Sequence, residues 1–135
     1  MKIQEQQNIQ KIQKIEDPQF SVAYCMKPGF RYAALKSYCR RIEFVTDGFE
    51  TDIDLISQQI AESMKNFNPD TDCIVPTGTG IINLLVGYFI SSKFPDSSLA
   101  VAFFQKEVAK FNKVIIPEHY EFYRFNPVFT MTLRR

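Results

Sequence analysis

Within Cys73–Asp96, CIVPTGTGIINLLVGYFISSKFPD, stand the residues of this chain best suited to hold an anion. Thr77-Gly78-Thr79-Gly80 separates a short apolar run, Cys73-Ile74-Val75, from a dense one, Ile81 to Ile90. A phosphate needs closely spaced N–H donors and room for its oxygens. Glycines remove the Cβ atoms that would block approach, and a helix after the turn aims its unpaired N–H groups and positive dipole end at the anion. Thr77 and Thr79 add hydroxyls, and Asn83 faces the same way one turn into the helix. The glycine pattern is incomplete. Gly78 and Gly80 match the first two glycines of G-x-G-x-x-G, but Asn83 stands at the third, and no G-K-[ST] follows, which excludes a P-loop nucleotidase. The competing reading is a tight strand-to-helix corner without a ligand.

Two arginines among aromatic rings could complete such a site. Arg31 follows the Lys27-Pro28-Gly29 turn between Phe30 and Tyr32, and Arg124 lies among Phe122, Tyr123 and Phe125. Rings stack on a base while a guanidinium pairs with phosphate oxygens. The alternative for both is a surface strand whose rings enter the core.

Other chemistries find less support. His119 is the single histidine, so two-histidine phosphodiester chemistry is excluded, and it reads as a loop residue without a chemical role. Serine in G-x-S-x-G is lacking. Asp52 and Asp54 read as charges at a helix N-terminus rather than an acid–base pair. Cys25, Cys39 and Cys73 are odd in number and contain no C-x-x-C, so neither a disulfide framework nor a zinc ribbon is expected. Buried free thiols in a reducing compartment are the default, and no metal or cofactor is expected.

The elements that would position the turn follow from patterning. Phe20 to Cys25 alternates as a strand, with Phe20, Val22 and Tyr24 on one face. Arg31 to Arg41 is ambiguous, and Ile42 to Val45 reads as a short strand. Thr51 to Phe67 is the most secure helix, with Ile53, Ile56, Ile60, Met64 and Phe67 in one stripe and Thr51 as its N-cap. Cys73–Val75, Ile81 to Lys93 and Leu99 to Phe104 read as strand, helix and strand, with a helix from Ser98 to Phe111 as the second reading of the last segment. The helix is apolar almost all round, which predicts cover on several sides. Val114 to Ile116, Tyr120 to Phe125 and Val128 to Leu133 predict antiparallel strands. In the second of these, Tyr120, Phe122 and Arg124 share one face. The expected fold is a single α/β domain over residues 19–135, with a βαβ unit and a C-terminal antiparallel meander. Residues 1–18 form a Gln-rich arm, frayed or docked on a neighbouring subunit.

Composition agrees with one globular domain of 135 residues, 45% apolar and 23% charged. Sixteen basic against fifteen acidic residues give no excess for duplex nucleic acid. No secretory core is evident, and the uncharged run from Cys73 to Ile90 is broken by Pro76, glycines and Asn83, so no membrane span is expected. Thirteen Phe and six Tyr are a heavy load for a small core and point to a homo-oligomer or a flat ligand.

The functional expectation is a cytoplasmic protein that binds a small nucleotide or other phosphorylated ligand without turning it over. Thr77, Gly78, Thr79, Gly80 and Asn83 would hold phosphate, and Phe30, Arg31, Tyr32 and Arg124 the base. Small phage or mobile-element proteins that sequester nucleotide signals offer an analogy of size and charge alone. Two other readings stay open. One is an interaction module using the aromatic C-terminal strands. The other is an enzyme on a phosphorylated substrate, for which His119 would face the turn across a cleft.

Overall fold

The computed structural model describes residues 11–29, 32–77, 80–106, 108–109 and 115–127. They build a six-stranded mixed sheet with two helices on one face, an α/β fold as the patterning predicts. In chain order the elements are β1 (Ile12–Lys14), β2 (Phe20–Cys25), a 3₁₀ turn (Ala33–Ser37), β3 (Cys39–Phe44), α1 (Ile53–Ser63), β4 (Cys73–Val75), α2 (Gly80–Lys93), β5 (Leu99–Gln105), β6 (Val108–Ala109), β7 (Ile115–Ile116) and β8 (His119–Phe125). The sheet runs β1-β8-β5-β4-β2-β3, while β6 and β7 pair separately as an antiparallel ribbon.

β3, β2, β4 and β5 are parallel, and β8 returns antiparallel to β5. From β2 the chain steps outward to β3 by the 3₁₀ turn, whose Leu35 packs on the face away from the helices. From β3 it crosses back over β2 to β4 by α1, then on to β5 by α2, both on the other face. Direction and face change together, the combination that right-handed crossovers require. The winding therefore reverses between β2 and β4.

Two cores follow from strand alternation. Val22, Tyr24, Ile74 and Val101 meet Ile56, Ile60 and Met64 of the α1 segment and Ile82, Val86 and Ile90 of α2. On the opposite face Ala23, Cys25, Cys73, Val75, Ala100 and Ala102 present small side chains to Leu35, Tyr32, Tyr120 and Phe122. Phe20 departs from the expected alternation. It belongs to this second core, with its ring 5.6 Å from that of Phe122.

Several boundaries differ from those expected. α1 begins at Ile53, and its N-cap is Asp52 rather than Thr51: the Asp52 carboxylate accepts from Asp54 N–H at 2.9 Å and Leu55 N–H at 3.2 Å. A carboxylate at this position answers the helix dipole as well as the free amides, which a threonine hydroxyl does less well. α1 ends at Ser63, and Met64 and Phe67 complete its apolar stripe from the following turns. The ambiguous segment after residue 31 resolves into the 3₁₀ turn and a strand, β3, longer than expected. Residues 11–15 of the arm dock on the chain's own β8, through β1 and the Ile15 N–H to Phe122 carbonyl bond. Residues 1–10 and the strand candidate at 128–133 lie outside the described residues. No helix of the described residues is long and apolar enough to cross a membrane.

Candidate functional site

β2 and β4 end level with each other, since Cys25 pairs with Val75 and both are fully buried. The chain after β2 passes to one face of the sheet and the chain after β4 to the other. Such a divergence leaves a crevice at the carboxyl edge, the usual ligand position of an open α/β sheet. Both sequence-selected segments, 27–32 and 76–80, begin at this edge.

The β2 side is anchored by Thr46. Its buried hydroxyl donates to the Met26 carbonyl at 2.8 Å, and its N–H reaches the same oxygen. Lys27 follows, its stem lying over Gly48, where a Cβ would come within 3.3 Å of the Lys27 Cβ. Gly48 has φ +85°, so the turn needs glycine for its backbone as well as for this close approach. Tyr32 is buried on the opposite face of the sheet, and its hydroxyl donates to the Lys27 carbonyl at 2.6 Å. It braces the turn; its ring belongs to the core.

On the β4 side, Asn83 clamps Thr77. Its Nδ2 donates to the Thr77 carbonyl at 2.5 Å, and its Oδ1 accepts the Thr77 N–H at 3.4 Å. The Asn83 amide is thus occupied in holding the corner. The Thr77 hydroxyl is buried without a hydrogen-bond partner among the described residues. Gly80 opens α2, and a Cβ there would meet nothing within 4 Å.

Two helix N-termini reach this edge, and they differ in charge. At α1, Asp47 accepts from the N–H groups of Phe49 and Glu50, Glu50 from those of Thr51 and Asp52, and Asp52 from those of Asp54 and Leu55. These amides have acceptors supplied by the chain itself, and the amides at Phe49 and Glu50 hold the Asp47 carboxyl below its ordinary range. α2 has no acidic residue in its first turn. Between the two lies a cavity of about 390 Å³, lined by Lys27, Phe49, Glu50, Ile53, Ile81 and Ile82 among others. Its walls are largely apolar, with one ammonium, Lys27, and one carboxylate, Glu50, among the described residues.

The remaining candidates are placed apart from this crevice or outside the described residues. Gly78, Thr79, Phe30 and Arg31 fall outside them. Arg124 pairs with Ala100, near the amino end of β5, and its guanidinium donates to Ser98 Oγ at 3.0 Å. It therefore sits toward the opposite edge of the sheet, and the structure does not bring it to the turn as the sequence reading expected. The reason is register: β8 runs antiparallel, so its last residues lie where the parallel strands begin.

His119 borders a different cavity of about 440 Å³, with Lys14, Asp17, Tyr38 and Glu121, to which no described residue of the 76–83 segment contributes. Its Nδ1 lies 2.9 Å from the Pro117 carbonyl and its Nε2 3.1 Å from Glu121. The thiols of Cys25 and Cys73 are buried, and burial pushes that of Cys25 up to about 12. Among the described residues no group of histidine, cysteine or acidic side chains has the arrangement of a metal site. Sequence reading missed Lys27 and Phe49. Lys27 was legible only as part of a Pro-Gly turn, and Phe49 followed an Asp-Gly turn with no periodic neighbours.

The chain has no match among known family models, curated proteins or solved structures.

Proposed function

We propose that the protein binds a small phosphorylated ligand of nucleotide type at the carboxyl edge between β2 and β4, and holds it without chemical change. The observation that carries this reading is the contrast between the two helix N-termini. The α1 end is answered by Asp47, Glu50 and Asp52. The α2 end has no carboxylate in its first turn, and the adjoining cavity wall carries Lys27 together with Glu50, whose carboxylate already accepts from the Thr51 and Asp52 amides. A phosphate there would meet the positive dipole end and a cation together. The apolar body of the ligand would occupy the cavity beside Phe49, Ile53, Ile81 and Ile82, whose volume falls in the range of small-molecule sites. Three free thiols suit a reducing compartment, and the proposal places the protein in the cytoplasm.

The alternative in which aromatic C-terminal strands form an interaction surface finds less support. Tyr120 and Phe122 are core residues, and Tyr123 and Phe125 are half-buried.

A thermal-shift screen against mono-, di- and cyclic nucleotides tests the proposal, with Lys27→Ala and Gly80→Glu alongside. A ligand at about 100 times its dissociation constant should add roughly 2.7 kcal/mol of stability. Gly80→Glu is informative because a Cβ there would meet nothing within 4 Å. It should stabilise the unliganded protein, by favouring the helix dipole, while repelling the phosphate. The expected result is a shift in the wild type, a weakened shift in both variants, and recovery of the ligand intact. No shift with any nucleotide, or equal shifts in all three proteins, would sink it.

A further inference from the structure

We propose that the outer face of α2, together with Ile53 and Phe49 beside its N-terminal end, is the contact surface between two copies of this chain. α2 reads GIINLLVGYFISSK, and Lys93 is its only charge. A surface helix ordinarily turns charged and polar residues away from the core. Here Ile82, Val86 and Ile90 face the core, yet the other side carries Ile81, Leu84 and Tyr88, 40%, 68% and 73% exposed, with Gly80, Gly87 and Ser91 between them. The cover that an all-apolar helix requires is therefore not supplied by the described residues of the chain itself.

The patch extends beyond one helix. Tyr88, Leu85 and Phe89 line a groove of about 240 Å³ against Ser57 and Ile60 of α1. Ile81 shares the carboxyl-edge cavity with Ile53 and Phe49, which are 55% and 87% exposed. Leu55 and Phe44 are exposed as well, but they line a separate cavity on the other flank of α1. The five large exposed side chains of the patch (Phe49, Ile53, Ile81, Leu84, Tyr88) present on the order of 600 Å², against about 800 Å² that each partner buries in an interface of standard size.

A second copy is the occupant this surface fits. The α2 face, without a charge before Lys93, meets no like charge when brought against its own image, and a two-fold contact places the same residues on both sides. Among the described residues the charges beside it are Lys93 at one end and, in the cavity at the other, Lys27 and Glu50 of opposite sign. Lys93 and Lys27, at opposite ends of it, are fewer cations than the rows of Lys and Arg by which interfacial helices hold a lipid surface. Gly87 adds an independent sign. A Cβ at Gly87 would meet nothing within 4 Å, so packing within the chain does not require glycine there, and glycine weakens a helix interior. Close approach of a second helix is a use for the missing side chain.

Sedimentation velocity of the full chain between about 1 and 100 μM reads the outcome, a range in which standard interfaces associate. The expected species is a dimer, twice the 15.7 kDa chain mass. Gly87→Glu and Leu84→Glu each place two like charges in the contact and should raise the dimer dissociation constant at least roughly tenfold. Circular dichroism shows whether they fold, and the open position of Gly87 keeps that variant foldable. Leu55→Glu, on the other flank of α1, should leave the dimer intact. A monomeric wild type overturns the proposal, even if the same face then binds vesicles. So does an assembly indifferent to both α2 variants, or one broken by Leu55→Glu alone. The contact shares Phe49, Ile53 and Ile81 with the cavity of the ligand proposal, whereas Leu84 and Gly87 lie outside its lining, so nucleotide binding by Leu84→Glu separates failure of one proposal from failure of the other.

Discussion

Asn83 holds both backbone polar groups of Thr77, donating from Nδ2 to the carbonyl at 2.5 Å and accepting the N–H at Oδ1. One side chain from the first turn of α2 thereby fixes the exit of β4. Of the two bonds the donation is the short one, and the 3.4 Å acceptance is weak. Asn83→Ala leaves the part-buried Thr77 carbonyl without this partner and should destabilise the fold by about 1–3 kcal/mol. Thr77→Val should act in the opposite sense. The Thr77 hydroxyl is buried without a partner among the described residues, so an isosteric methyl relieves a desolvation cost and stability should hold or rise by about 1 kcal/mol. Urea denaturation of both variants checks the pair of signs. A stable Asn83→Ala would mean that the corner is held by something else.

The N-cap of α1 offers a sharper comparison, because neighbouring residues compete for the role. Asp52→Ala removes the acceptor of two amides and should cost about 0.5–2 kcal/mol. Thr51→Ala removes no side-chain bond to the helix and should change stability by less than about 0.5 kcal/mol. Equal losses in denaturant midpoints would return the cap to Thr51.

The sheet itself was legible wherever one short-range signal sufficed. Phe20–Cys25 alternates, Cys73–Val75 is an apolar run bounded by an acidic residue and a proline, and both strands have the limits expected. The reversal of winding between β2 and β4 was not legible, because strand order is set by which crossover face each helix buries, a long-range property. The same limit misplaced Arg124. Its ring-flanked sequence suggested a ligand, but antiparallel pairing with Ala100 carries it toward the opposite edge. Helix α2 shows a different limit. Its apolar circumference was plain, yet periodicity does not say whether the cover comes from the same chain. Leu84 and Tyr88 remain exposed in the single chain. At the candidate site the change from strand to helix was expected at Thr77–Gly80, of which Gly78 and Thr79 lie outside the described residues, whereas Lys27 required the geometry of Gly48 beneath it.

The three cysteines lie near one another on the core face away from the helices, and their surroundings predict slow chemistry. Burial raises all three thiols above their ordinary value, and proximity of the other thiols adds to the effect at Cys25 and Cys73. The thiolate is the reactive form, so its fraction near pH 8 is small at each site. Cys39 is half-buried, with its Sγ directed at the Leu35 carbonyl, while Cys25 and Cys73 are fully buried. A disulfide-exchange reagent should label at most Cys39 at a measurable rate in native protein, and all three cysteines after denaturation. Rapid labelling of Cys25 or Cys73 under native conditions would show that this face opens.

His119 should carry a proton at neutral pH more often than an ordinary histidine. The Pro117 carbonyl facing Nδ1 can only accept, and so can the ionised Glu121 facing Nε2. Only the imidazolium donates to both. The Pro117 bond, followed by that to Glu121, raises the His119 pKa above its ordinary value of about 6.5, while Lys14 opposes the shift. Glu121 moves down from about 4.5, through its bonds to His119 and then Tyr123. The signs set a window. The histidine contribution is fully present below about pH 6.5 and is lost as pH rises through the raised folded value. The carboxylate contribution is present above about 4.5 and is lost as pH falls through the lowered one. The pair therefore favours the fold between those limits, by a small amount, since both side chains are partly exposed and screened. Because the chain has one histidine, its ring resonances report the titration without ambiguity. In the wild type the midpoint should lie above 6.5, and Glu121→Gln should lower it while leaving the Pro117 bond in place. A wild-type midpoint at or below 6.5 would mean that the ring does not hold both acceptors in solution.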